Sequence, residues 1–218
     1  MTLYLVRHGQ TDWNVEPARC LGWAEVPIND AGRRQARELA ATLLDKGVEL
    51  IVTSHLLRAT QTAEELRDEL RTAGGNDIPV TIDPRLAETF RGAWQGRTFA
   101  SIIAHEPETW AAYREHPETF RFPQGESLVE QQRRVLEAVR DAALTGRVAL
   151  LVTHGGSIRL VRAFLDGEGI ETFHRAAPTP NGEAALAVDP HGLVARIDRF
   201  LGLAPAPDDG TIEASGTG

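Results

Sequence analysis

Short apolar runs alternate along the chain with longer stretches whose apolar residues recur every three or four positions. Thr2–Val6 is rich in β-formers and stops before Gly9, which predicts a first strand. From Asp30 to Lys46 the residues Ala36, Leu39, Ala40, Leu43 and Leu44 keep helical spacing, with Asn29 or Asp30 as cap and Gly47 as stop. Val48–Thr53 predicts a second strand, and Ala59, Ala63, Leu66 and Leu70 place one apolar stripe on a helix from about Leu57 to Arg71. Gly74, Gly75 and Asn76 break the chain before a short third strand, Val80–Ile82. A long helix, Leu128–Ala143, precedes a fourth strand, Val148–Thr153, and a helix from near Ser157 turns Ile158, Val161, Phe164 and Leu165 inward. Ala184–Val188 and Leu193–Ile197, separated by Asp-Pro-His-Gly, are expected to pair as a hairpin.

Strands alternating with helices predict an α/β fold: a single domain of three layers, α/β/α, around a mostly parallel central sheet. The expected domain runs over residues 1–200, with an aromatic-rich insertion at about 88–125 and a flexible acidic tail over 201–218. Ligands of such sheets bind beyond the carboxyl ends of the strands. Two apolar runs end in His-Gly at that edge, at His8-Gly9 and at His154-Gly155-Gly156. The repeated ending predicts two histidines at one place, beside glycines that let backbone approach a ligand.

Composition narrows the classes. At 218 residues, 42% of them hydrophobic, the chain can bury the core of one ordinary domain. A net charge of −8 argues against a general nucleic-acid or membrane surface, so an anionic ligand must be held by a local pocket. Cys20 is the single cysteine, no apolar run is long enough to span a membrane, and no export signal is evident, so a cytoplasmic setting is expected. Cys20 lacks the Cys-x5-Arg spacing of a cysteine phosphatase because Val26 stands at the required position. His105-Glu106 lacks the second histidine of a zinc helix, since position 109 is Thr, and neither a metal nor another cofactor is expected.

The segments LVRHGQTDWN, INDAGRRQA, SHLLRATQTA, ETFRGAWQG, PQGES and VTHGGSIR follow one another between about residues 2 and 162. Together they resemble the ordered blocks of the histidine phosphatases, the superfamily that includes the cofactor-dependent phosphoglycerate mutases. The resemblance implies a phosphohistidine mechanism in one phosphoglycerate mutase-like domain. Phosphoryl transfer needs a nucleophile, positive charge around the transferred oxygens and an acid for the leaving alkoxide. His8 is the expected nucleophile, with a carbonyl near Gly9 fixing its tautomer. Arg7, Arg58 and His154 would neutralise the phosphoryl oxygens, Asn14 and the N–H of Gly155 would complete the pocket, and Glu88 would be the proton donor.

Specificity is expected elsewhere. Leu21 before Gly22, Glu25, His55 and Arg91 depart from the family pattern and would border the leaving group. Aromatic side chains crowd between Phe90 and Phe122; they would cover the pocket or pack as a satellite cluster, and Arg91, Arg114 and Arg121 would face either substrate or solvent. The Glu88–Gly125 segment lacks the paired basic residues and longer insert that the resembling mutases add there, which favours hydrolysis of a small phosphorylated metabolite. Mutase-type transfer and a non-catalytic phosphate sensor are the alternatives. No nucleic-acid or membrane partner is expected, and assembly is left open, a homodimer among the options.

Overall fold

In the computed structural model, which describes residues 2–74 and 77–203, five strands form one sheet in the order β3-β2-β4-β1-β5. β1 (Leu3–Arg7), β2 (Leu50–Thr53), β3 (Val80–Ile82) and β4 (Ala149–Thr153) run parallel, and β5 (Ala184–Val188) closes the β1 edge antiparallel. Every residue of β2 and β4 is buried, as expected of parallel strands covered on both faces. Alternation along the strands sorts their side chains: Leu3, Leu5, Val52 and Leu151 join one core, and Val6, Ile51, Leu150 and Val152 the other.

Helices α1 (Asp30–Leu43) and α2 (Leu57–Thr72) cover the second of these faces with Ala36, Leu39, Ala59, Ala63 and Leu66. The Asn29 side chain caps α1 by accepting the Gly32 N–H at 3.0 Å. The predicted last turn to Lys46 is 3₁₀, ending at Gly47 in the left-handed region with φ of 64°. α3 (Phe99–His105) and α4 (Pro107–Glu115) lie within the aromatic-rich segment. On the first face sit α5 (Leu128–Leu144), α6 (Gly155–Asp166) and α7 (Leu193–Leu201).

The expected Ala184–Val188/Leu193–Ile197 hairpin is half right. The first segment is β5, but Leu193–Ile197 opens α7 and does not pair with it. Leu193, Ile197 and Leu201 repeat every four residues, bury one stripe, and pack against α5. An Arg140–Asp198 ion pair ties the two helices at their margin. The predicted break at Gly75 and Asn76, and the tail from residue 204 onward, lie outside the described residues.

A third core lies under the segment between β3 and α5. Wholly buried Trp94 is ringed by Tyr113 at 5.7 Å, Phe120 at 5.8 Å and Phe122 at 5.3 Å between ring centroids, and its indole N–H donates to Glu106 Oε2 at 2.9 Å. These rings form the expected satellite cluster, and Tyr113 also walls a cavity, as the covering alternative expected. Phe99 and Trp110 pack on the margin of the cluster, half-buried.

Candidate active site

Strand register brings the two His-Gly turns together. Arg7 of β1 pairs with Thr153 of β4, so His8 and His154 are the next residues along adjacent parallel strands. The His8 N–H donates to Thr153 O at 3.0 Å, and the two rings lie 5.2 Å apart between centroids, tilted by 55°. β2 stands on the other side of β4, and the residue after its last position, Ser54, places Oγ 2.9 Å from His154 Nε2.

His8 is buried, and its Nδ1 donates to the Gly9 carbonyl at 2.7 Å, the contact expected from the sequence. A carbonyl only accepts, so Nδ1 carries the hydrogen and Nε2 keeps the lone pair. Gly9 is required here by a close approach: a Cβ would stand 2.6 Å from the Gly32 carbonyl oxygen at the start of α1. The Gly9 N–H donates to Thr62 Oγ1 at 2.9 Å, which in turn donates to Arg58 O at 2.6 Å, locking the turn onto α2. Burial first, then the charges of Arg58 and Arg7, holds the His8 pKa well below 6.5. His154 is held well below it too, by burial and then Arg58.

Of the two expected arginines Arg58 is wholly buried and Arg7 half-buried, and both keep donors unspent. Arg58 gives Nη1 to Ala24 O at 3.0 Å and Nη2 to Gly22 O at 2.7 Å, while its Nε is buried without a partner. Arg7 gives Nη1 to Thr179 O and likewise keeps a buried, unpartnered Nε. His154 Nδ1 is a third such atom. Burial lowers the Arg58 pKa to about 10, which leaves the guanidinium charged across the neutral range. Buried polar atoms without partners are costly in an apolar interior, so several in one pocket mark a place for an anion.

Glu88 follows the short 3₁₀ turn Pro84–Leu86 and is nearly buried. Oε1 accepts the Thr89 N–H at 2.9 Å and Gln131 Nε2 at 3.1 Å, and Oε2 accepts the Gly156 N–H at 3.2 Å. Burial alone would raise its pKa; Arg91, the Thr89 and Gly156 amides and Arg58 together hold it below the usual carboxylate range. Its backbone is clamped from α5, where Arg134 donates to the carbonyls of Ala87 at 2.7 Å and Glu88 at 2.9 Å. Arg134 is paired with Glu126, which also accepts the Phe90 N–H at 2.8 Å. The PQGES segment thus anchors the loop that carries Glu88.

Asn14 sits in the 3₁₀ turn Asp12–Asn14 and accepts through Oδ1 from Thr11 N–H at 2.9 Å and Asn181 Nδ2 at 3.4 Å, which leaves its Nδ2 to donate elsewhere. Asn181 also donates to His8 O at 3.0 Å, so the Asn181-Gly182 loop closes on the same edge. Gly155 begins α6 against Arg7; a Cβ there would lie 3.4 Å from Arg7 Nε. Leu21 and Gly22 line a cavity of about 470 Å³ together with Asn14 and Arg19. A second cavity, of about 480 Å³, is lined by Arg114, Arg159, Tyr113 and Phe173. Arg7, Glu88, Arg91, Phe99 and Pro178 wall both, so the two are lobes of one depression that meets at Arg7 and Glu88. His8, Arg58 and His154 are buried behind these walls.

Of the arginines left undecided by sequence, Arg91 and Arg114 face the depression, and Arg121 pairs with Glu130 on the surface at 2.5 Å. Ser54, Gln131, Arg134 and Arg159 were not anticipated. VTHGGSIR carries Arg159 in its last position, but only the α6 geometry turns it toward the lobe. Trp23 was also missed: its indole N–H donates to Glu88 O at 2.7 Å and its ring meets His55 edge-on at 5.3 Å.

The family model described as the histidine phosphatase superfamily (branch 1) matches residues 3–195. A glucosyl-3-phosphoglycerate phosphatase of Mycolicibacterium vanbaalenii is 35% identical over 180 residues, covering 78% of this chain and 76% of the relative. A probable phosphoglycerate mutase, GpmB of Proteus mirabilis, is 34% identical over 157 residues, covering 71% and 70%. Among solved structures, a mycobacterial glucosyl-3-phosphoglycerate phosphatase complexed with VO3 superposes with a TM-score of 0.73 at 32% identity, covering 83% of this chain and 88% of that one.

Proposed function

The chain belongs to the histidine phosphatase superfamily, branch 1, and from that premise we propose that His8 takes the phosphoryl group of a small phosphorylated metabolite and passes it to water, without a metal ion. The observation that carries this reading is the fixed imidazole: Nδ1 tied to Gly9 O at 2.7 Å and Nε2 free, 5.2 Å from the His154 ring between centroids. The two relatives described above act, by name, on phosphoglycerate derivatives, and the same broad class, a small phosphoester, is assigned here.

In the first step Nε2 of His8 bonds to phosphorus as the ester P–O bond breaks, and the leaving alkoxide takes a proton from Glu88. The unspent Nε donors of Arg7 and Arg58, His154 Nδ1, Asn14 Nδ2 and the Gly155 N–H stabilise the equatorial oxygens as charge spreads over them. Glu88 is ionised in the empty pocket, because neighbouring cations and amides favour the carboxylate. An arriving phosphate neutralises those cations and adds negative charge beside the carboxylate, so Glu88 gains its proton on binding. In the second step water attacks the phosphohistidine, gives its proton to Glu88, and the P–N bond breaks to release inorganic phosphate and neutral His8.

The test is rapid quenching during turnover of a phosphomonoester. The expected adduct survives alkali, is lost in acid, and is absent from His8→Ala. An adduct with serine-like stability would overturn the assignment of the nucleophile. Isomerisation of 3-phosphoglycerate without phosphate release would replace hydrolysis by mutase-type transfer, and phosphate binding without either reaction would leave a sensor.

A further inference from the structure

The lobe walled by α4 and α6 holds more positive charge than one phosphoryl group uses. Arg91, Arg114 and Arg159 line it in addition to Arg7, and Glu88 is the one carboxylate among its described wall residues. None of the three extra arginines joins an ion pair among the described residues, in a chain whose net charge is −8. A transferred phosphoryl group has three peripheral oxygens, and Arg7, Arg58, His154 and the Gly155 N–H already answer them.

Each extra guanidinium is held in place by contacts other than an ion pair. Arg159 lies over the Phe173 ring at 5.5 Å, with a buried Nε that has no partner. Arg91 lies over Phe122 at 5.2 Å. Arg114 donates Nη1 to His174 Nδ1 at 3.0 Å, and His174 Nε2 donates in turn to Tyr113 O at 2.9 Å. That chain requires a neutral imidazole, and burial, with the arginines around it, brings the His174 pKa to about 4. Three guanidinium groups, with Arg7 beside them, face the single carboxylate of Glu88, and a bound anion offsets the positive charge left over.

We propose that this lobe binds a second anionic group on the leaving portion of the substrate, a carboxylate or a phosphate, through Arg91, Arg114 and Arg159. The carbon skeleton between the two anions lies against Phe99 and Trp110, which wall the same lobe. The substrate is then a phosphoester with two acidic ends, in contrast to one whose alcohol portion is a neutral sugar or nucleoside. This rests on the reading above that the other anion is the phosphoryl group taken by His8.

The experiment uses three non-hydrolysable three-carbon probes, so that it does not depend on turnover: 3-hydroxypropylphosphonate, 3-phosphonopropanoate and propane-1,3-diphosphonate. Isothermal titration of the native protein is expected to show the carboxylate or the diphosphonate binding at least about tenfold tighter than the alcohol. Whichever of the two gains more identifies the second anion. Arg159→Gln and, independently, Arg91→Gln are expected to cut that ratio severalfold, and Arg159→Lys to restore part of it. Equal affinity for all three probes overturns the inference and leaves the phosphatase reading standing. Selective binding of an acidic probe by a protein that hydrolyses no phosphoester supports the lobe and overturns the phosphatase.

Discussion

Gly156 stands so close to Glu88 that a methyl group on it would lie 2.2 Å from Glu88 Oε1, while its own N–H donates to Glu88 Oε2 at 3.2 Å. The first turn of α6 therefore fixes the position of the proposed acid. At an ordinary helical site Gly→Ala gains roughly 0.5–1 kcal/mol. In Gly156→Ala the methyl group must displace the carboxylate. The expected result is a loss of about 100-fold in kcat on an alkyl phosphate. With p-nitrophenyl phosphate, whose phenolate leaves without a proton, the loss is expected to be much smaller. Steady-state kinetics on both substrates decides the matter; equal losses would mean a collapsed pocket and not a displaced acid.

Ser54 acts through His154. Its Oγ accepts the Leu56 N–H at 3.3 Å and meets His154 Nε2 at 2.9 Å, so a hydroxyl hydrogen given to Nε2 leaves Nδ1–H for the phosphoryl oxygens. Ser54→Ala frees the tautomer. The expected cost is about fivefold in kcat, the equivalent of one hydrogen bond of ~1 kcal/mol, with KM little changed. A change confined to KM would assign Ser54 to ground-state binding instead.

The strands and helices were legible where apolar periodicity was long. β3 was placed residue for residue at Val80–Ile82, and α2 and α5 to within a residue at their ends. α7 was not, because Leu193–Ile197 alone fits either period; Leu201 carries the third repeat, four residues beyond the expected segment. At the site, the motifs single out His8, Arg7, Glu88 and His154 at strand or loop ends and Arg58 in the first turn of α2, and the structure brings these residues to one edge of the sheet. The groups that aim them were not legible. Ser54, Gln131 and Arg134 approach from neighbouring elements, and only strand order and helix docking decide that such residues meet.

Ile197 is a measure of α7 itself. It is wholly buried in the core that α5 and α6 share, on a helix tied by Arg140–Asp198. Ile197→Ala is expected to cost about 3 kcal/mol in urea denaturation, while the folded protein keeps its kcat, since the side chain lies outside both lobes. A cost below about 1 kcal/mol would indicate that this segment contributes little to the core.

Acid should act on the two histidines before it reaches Glu88. Burial and Arg58 hold His8 and His154 well below 6.5 in the folded chain, so as pH falls through 6.5 the unfolded chain takes up protons that the folded chain does not. Stability is therefore full above 6.5 and declines as pH drops from there toward the lower folded values. Glu88 acts in a separate window: its depressed pKa stabilises the fold above the unfolded value near 4.5 and ceases to do so as pH falls through the folded one. Thermal midpoints taken between about pH 8 and pH 5 are expected to fall below 6.5, and to fall less in His154→Gln. The same depression keeps His8 Nε2 unprotonated in mild acid, so the acid limb of kcat/KM, corrected for ionisation of the substrate, is expected below 6.5. An acid limb at or above that value would mean that the His8 environment favours imidazolium, and a proton on Nε2 would leave no lone pair with which to attack phosphorus.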